Sequence, residues 1–134
     1  MKLPRVLLMD GTPGILALCG EVLRPNHEIV GTAPDGESAI AAFEALTPDV
    51  VVRDISMPGL NGLEVAKHLR RPDRSSAIVF LSGDIEFMTT DMEFMIAALK
   101  AGGSGFVTKM LIGSDLPVAI REVLAGRIFV SSPE

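Results

Sequence analysis

Val50-Val51-Val52-Arg53-Asp54-Ile55-Ser56-Met57-Pro58-Gly59-Leu60-Asn61-Gly62 is the stretch on which the reading turns. Three consecutive valines predict a strand buried on both faces, because a β-branched run without polar alternation suits the middle of a parallel sheet. An acid follows where that strand ends. In an open α/β sheet, ligands bind beyond the carboxyl ends of the strands, so Asp54 is expected at the mouth of a site. Pro58, Gly59, Asn61 and Gly62 then break the backbone into a loop before the next helix.

The same alternation runs outward in both directions. Arg5 to Asp10 is a short apolar run that also ends in an acid, which predicts a second central strand. Thr12 is expected to cap a helix whose first residue is Pro13, a position where the missing N–H has no helical partner anyway. That helix carries Ile15, Leu16, Leu18, Cys19, Val22 and Leu23 and stops before Pro25. Glu28 to Thr32 is a short strand, and Asp35 opens a helix that ends before Pro48. Beyond Asp54, Asn61 or Gly62 opens a helix closed by Pro72, and Ala77 to Ser82 is a strand followed by a long helix to Lys100. Gly102 and Gly103 end that helix, since glycine takes the left-handed conformation of a C-terminal cap. Gly105 to Lys109 is the last strand, and Ser114 or Asp115 starts a final helix ending near Gly126. Five strands alternating with five helices predict an α/β, doubly wound parallel sheet in the flavodoxin-like order 2-1-3-4-5, with helices on both faces. That order sets Asp10 and Asp54 at the ends of adjacent strands.

The chain has 134 residues, enough for one domain with a sizeable core. A hydrophobic content of 48% against 22% charged residues is a globular balance, so disorder is not expected. The net charge of −5 argues against direct nucleic-acid binding, which needs clustered Lys and Arg. No apolar run reaches the length of a membrane span, and Met1 to Met9 reads as a strand rather than a signal peptide, so a cytoplasmic location is the default. The single Cys19 cannot form an internal disulfide, and among apolar helical positions it reads as a small buried hydrophobe. Trp and Tyr are absent, so any aromatic switch has to be a Phe.

Asp10 after the first strand, Asp54 with Met57-Pro58 and Gly62, Ser82 after the fourth strand and Lys109 after the fifth together resemble the receiver domain of bacterial response regulators. The resemblance covers nearly the whole chain. The stretches DISMPGLNGLEV, ALKAGGSGFVTK and AIREVLAGR are most similar to receivers that precede a LuxR-type helix-turn-helix domain. It implies that Asp54 accepts a phosphoryl group from a sensor histidine kinase, with Lys109 and Ser82 contacting the phosphoryl oxygens. It also implies that Asp10, Asp54 and the Ser56 backbone carbonyl hold Mg²⁺, an ion that prefers oxygen ligands and keeps several waters. Ser82 and Phe106 are the implied switch residues: Ser82 moves towards the phosphoryl group and Phe106 turns inward. The output is read on the face of the fourth helix, fifth strand and last helix. Residues 1–126 are then the receiver domain. Residues 127–134 begin a linker to a C-terminal DNA-binding domain in the parent protein, whose output is transcription regulation, and a homodimer is a further implied partner.

One position departs from the pattern. Such receivers typically carry two adjacent acids after the first strand, and here the pair is Asp10-Gly11. Loss of that carboxylate predicts weakened Mg²⁺ binding, because water fills a coordination position without replacing the charge. Two functions follow: a phosphoryl-accepting switch, or a pseudo-receiver that binds partners without phosphorylation. An enzyme is not expected. Asp10-Gly11-Thr12 resembles the end of the D-x-D-G-T motif of haloacid-dehalogenase-type phosphatases, but that family's nucleophile would fall at Leu8, which has no reactive oxygen. His27 and His68 lack ligand-spaced partners and read as structural. Asp84-Ile85-Glu86-Phe87-Met88 is echoed by Asp91-Met92-Glu93-Phe94-Met95, and the stripe of Met88, Met92, Met95 and Leu99 reads as the buried side of an extended helix.

Overall fold

Strands β1 (Arg5–Met9), β2 (Glu28–Ala33), β3 (Val50–Asp54), β4 (Ala77–Ser82), β5 (Ser104–Thr108) and β6 (Phe129–Val130) form one sheet in the order β2-β1-β3-β4-β5-β6. Every pairing is parallel. The computed structural model describes residues 2–54, 76–83 and 104–131. Three helices lie among them: α1 (Pro13–Leu23), α2 (Gly36–Leu46) and α3 (Ile112–Leu124). The helices expected from Asn61 and before Lys100, the Met57-Pro58 loop, Ser56, His68, the glycine pair at 102 and 103 and the repeat at 84–95 lie outside the described residues.

The valine run behaves as a doubly buried strand should. Val50, Val51 and Val52 are fully buried, and alternate residues go to opposite faces. Leu7, Met9, Val51, Ile78, Phe80 and Phe106 pack under α2 with Ala39 and Phe43. Val6, Leu8, Val50, Val52, Val79, Leu81 and Val107 pack on the other face against Cys19 and Leu23 of α1 and Leu116 and Ile120 of α3. Covering both faces this way is what permits continuous apolar strands. Cys19 is a free, buried thiol, and burial pushes its pKa up to about 11. It is a packing residue, as its apolar helical setting implied.

Local chemistry explains the helix ends. Asp35 is the N-cap of α2 and its Oδ1 accepts from the Ser38 N–H at 2.9 Å. Hydrogen bonding to the Ser38 backbone holds the Asp35 carboxyl below the ordinary value of 3.8. A depressed carboxylate stabilises the fold above its unfolded value and loses that contribution as pH falls through the folded one. Asp35→Ala is therefore expected to lower the melting temperature at pH 7 and to narrow its gap to the parent chain in acid, measured by thermal melts between pH 2 and 7. A gap that is constant with pH would remove the charge from the capping argument.

Two ends differ from the sequence-based expectation. Thr12 stands at the N-cap of α1 with Pro13 next, but its side chain makes no capping bond. Its backbone N–H instead donates to Asp10 Oδ1 at 2.8 Å, so the turn serves the acid. The last helix begins at Ile112 rather than at Ser114 or Asp115, continuing from a 3₁₀ turn over Lys109–Leu111. The gain is burial of Ile112 and Leu116 in the core. Pro117 then sits inside the helix and withholds a donor from Gly113, a residue that is itself exposed.

The sixth strand is an addition to the expected five. Gly126 takes φ 81° after α3, and the chain turns back so that Phe129 and Val130 pair with Gly105 and Phe106. Ser131 closes the arrangement. Its N–H donates to the Phe106 carbonyl at 2.8 Å, and its hydroxyl accepts from the Thr108 N–H at 3.2 Å and donates to Asp115 Oδ2 at 2.8 Å. The open edge of β5 supplies the unpaired backbone groups that this segment needs.

Candidate functional site

The strand order reverses between β1 and β3, and a crevice opens at such a switch point, beyond the strand ends. Asp10 directly follows β1 and Asp54 ends β3; their strands pair side by side, with Met9 opposite Arg53. Lys109 directly follows β5. Its ammonium reaches over the intervening strand to stand 3.1 Å from Asp10 Oδ2 and 3.1 Å from Asp54 Oδ2. Three residues separated widely in sequence thus meet at one point.

Burial grades the three. Asp10 is 1% exposed, whereas the side chains of Asp54 and Lys109 are 14% and 18% exposed. The more open Asp54 is the carboxylate that an incoming group meets first. Asp10 Oδ1 is satisfied by the Thr12 N–H, but Oδ2 has no hydrogen-bond donor directed at it and faces the Lys109 charge alone. Burial works to lower the Lys109 pKa, yet the neighbouring Asp10 and Asp54 carboxylates outweigh it and hold Lys109 above its ordinary value of 10.5. Lys109 is therefore a fixed cation at neutral pH.

Ser82 ends β4 and is 2% exposed, next to Asp54 in the sheet because Leu81 is the register partner of Asp54. Phe106 is 1% exposed and stacked on Phe80 at 5.3 Å between ring centres. The aromatic expected to turn inward is thus already inside the molecule here. Ser56, expected to offer a backbone carbonyl to a metal, lies outside the described residues. His27 is structural, with Nδ1 3.0 Å from the Leu23 carbonyl oxygen at the end of α1.

The donor set can be tested against a divalent cation. Two carboxylate oxygens converge on one positive charge, and one of them, Asp10 Oδ2, is a buried acceptor without a donor. This hard oxygen set suits Mg²⁺. Among the described residues, however, no group of three or more His, Cys, Asp or Glu side chains is placed to hold a metal. Gly11, where a further acid would have stood, is exposed and contributes no ligand.

One feature escaped the sequence reading. The apolar run and the acid at its end give Arg53 no role between Val52 and Asp54, yet it is fully buried. A charged residue within an otherwise apolar strand was the available signal. Ser131 and Asp115, which tie β6 down, carried none.

A doubly wound parallel sheet with an acid pair and a lysine gathered at its switch point defines a receiver domain. The family model of the response regulator receiver domain matches residues 6–121, and the chain belongs to that family. It is 34% identical over 130 residues to the nitrate/nitrite response regulator protein NarL of Escherichia coli, covering 94% of this chain and 57% of NarL. Among solved structures, it is similar to a two-component response regulator of the LuxR family from Aurantimonas (TM-score 0.80, 31% identity), covering 98% of this chain and 91% of that one. It is also similar to the non-phosphorylated receiver domain of the stress response regulator RcsB from Escherichia coli (TM-score 0.81, 25% identity), covering 98% and 100%. These relatives are signalling proteins rather than catalytic enzymes. No helix among the described residues is long and apolar enough to cross a membrane.

Proposed function

We propose that the chain is a phosphorylation-controlled switch that accepts a phosphoryl group on Asp54 from a sensor histidine kinase. The observation that carries this reading is the convergence of Asp10, Asp54 and Lys109, with Asp54 the more exposed of the two acids. A carboxylate oxygen of Asp54 attacks phosphorus, the bond to the donor's leaving group breaks, and the leaving group departs with the electron pair. Lys109 places its charge beside the developing phosphoryl oxygens, and Ser82 donates its hydroxyl to another. Receiver domains generally bind Mg²⁺ at this pocket, and the bound ion offsets negative charge on the transferring group; Asp10, Asp54 and the Ser56 carbonyl are the proposed ligands. Asp10 orients through its Thr12 contact, which leaves Oδ2 turned to the pocket.

Ser82 and Phe106 are the proposed switch pair. Phe106 belongs to β5, which is joined to both Lys109 and β6, so a change at the pocket has a short route to the sheet edge. The body expected over residues 1–126 extends through β6 and Ser131, which are bonded to β5 and α3, so we place the start of a connection to a DNA-binding output domain after Ser131 rather than at 127. The reading is of a cytoplasmic transcription regulator, with a homodimer as a further partner. The LuxR-family relatives and the 57% share of NarL support it.

The test is incubation with a small acyl phosphate and Mg²⁺, followed by intact mass and peptide mapping. A single added phosphoryl group on the peptide containing Asp54 is expected, absent in Asp54→Asn. Label that persists in Asp54→Asn would overturn the assignment. A second reading, an interaction module that works without phosphorylation, is favoured by one observation: Lys109 already neutralises part of a two-acid pocket. Wild-type chain that stays unlabelled under the same conditions would select it.

A further inference from the structure

Arg53 immediately precedes Asp54, and its side chain is the largest among the described residues that are fully buried. Register places it in a row across the sheet with Met9, Phe80 and Phe106. Nε donates to the Asp54 carbonyl oxygen at 2.8 Å, and the guanidinium carbon stands 5.8 Å from the centre of the Phe80 ring. Nη1 and Nη2 are buried and have no hydrogen-bond partner. Burial presses the Arg53 pKa down to about 10, with the Asp54 charge acting against that, so the group stays cationic at neutral pH.

An interior guanidinium whose two terminal nitrogens are unmatched is costly unless a neighbouring negative charge offsets it. Asp54 is that neighbour: its charge acts on the guanidinium, and its backbone carbonyl accepts from Nε. Among the described residues, Asp10 and Asp54 then meet Lys109 at the strand ends, and Arg53 adds a second positive charge that acts on Asp54. Among the described residues, the two acids thus have two cations acting on them before any metal arrives. We infer that Arg53 is a built-in counter-charge of the acidic pocket that sets how weakly it binds divalent cations.

The inference rests on the phosphoacceptor reading of the pocket, but its test involves no phosphoryl transfer. Mn²⁺ binding to the full chain is measured by calorimetry at pH 7 for the parent, Arg53→Met and Arg53→Lys, with melting curves to establish folding. Arg53→Met removes the positive charge that acts on Asp54 and is expected to bind Mn²⁺ about tenfold tighter or more, as one unit charge acts strongly on a neighbouring acid in a partly buried site. Arg53→Lys keeps the charge and is expected to stay within about threefold of the parent. Should Arg53→Met fail to fold, Arg53→Gln takes its place with the same expected outcome. Equal Mn²⁺ affinity in the parent and the uncharged variant overturns the proposal, and equal tightening in the Lys variant replaces charge with packing as the cause. An unlabelled parent chain alongside a tenfold metal shift would overturn the phosphoswitch and leave this inference standing.

Discussion

Lys109→Met is expected to destabilise the chain by about 3 kcal/mol at pH 7. Asp10 is 1% exposed and its Oδ2 faces Lys109 at 3.1 Å with no other donor. Removing the ammonium leaves two carboxylates facing each other at the end of a low-dielectric core, and breaking a buried pair from one side costs about 3–5 kcal/mol. The lower figure applies because Lys109 and Asp54 keep 18% and 14% of their side-chain exposure. The pH dependence has a definite sign. Lys109 is held above 10.5 in the folded chain, so its contribution is complete below 10.5 and is lost as pH rises through the folded-state value. In Lys109→Met that alkaline loss is expected to vanish. Urea unfolding from pH 4 to 11 reads both effects. A loss below about 0.5 kcal/mol, the range of ordinary surface substitutions, would mean that the bridge contributes geometry and not stability.

Gly11→Asp is expected to tighten Mg²⁺ binding by about tenfold or more and to speed acyl-phosphate labelling of Asp54. The position can take the side chain. Gly11 is exposed, its backbone does not need the left-handed region, and an added Cβ would lie 3.4 Å from the Pro34 carbonyl oxygen, an ordinary contact. The residue next to Asp10 gains a carboxylate where the described pocket has two, and a dication responds to each added charge twice as strongly as an ammonium does. Lys109 competes for the same two oxygens, so the gain is expected to be larger in the Lys109→Met background if that variant is folded at the working pH. A Mg²⁺ titration of parent and variant, paired with labelling rates, decides the matter. Equal affinities and rates would make Gly11 a neutral change.

What could be read from the chain in advance was what repeats or alternates locally. The apolar runs Val6 to Met9, Val50 to Val52 and Ile78 to Leu81 announced central strands, and Asp35 announced the start of α2, because β-branching, period and capping act within a few residues. From strands alternating with helices, handedness and the switch-point rule were enough to bring Asp10 beside Asp54. Helix ends were less legible. Ser114 and Asp115 carry strong cap chemistry, yet α3 starts at Ile112 because burying that residue in the core outweighs the local preference.

Local pattern alone was enough for five of the six strands, for their order and for Asp10, Asp54, Ser82 and Lys109 as candidates, since each ends or follows a strand and the topology sends those ends to one edge. Only the tertiary structure decided how charge is arranged there. That Lys109 bridges both acids at 3.1 Å, that Phe106 lies buried against Phe80, and that Ser131 ties β6 to Thr108 and Asp115 all depend on contacts between residues far apart in the chain. Arg53 marks the divide most clearly. Its neighbours Val52 and Asp54 could be read as core and mouth, but whether its guanidinium turned to water or into the row with Phe80 was set by packing across the strands, and electrostatic energy depends on that burial far more than on position in sequence.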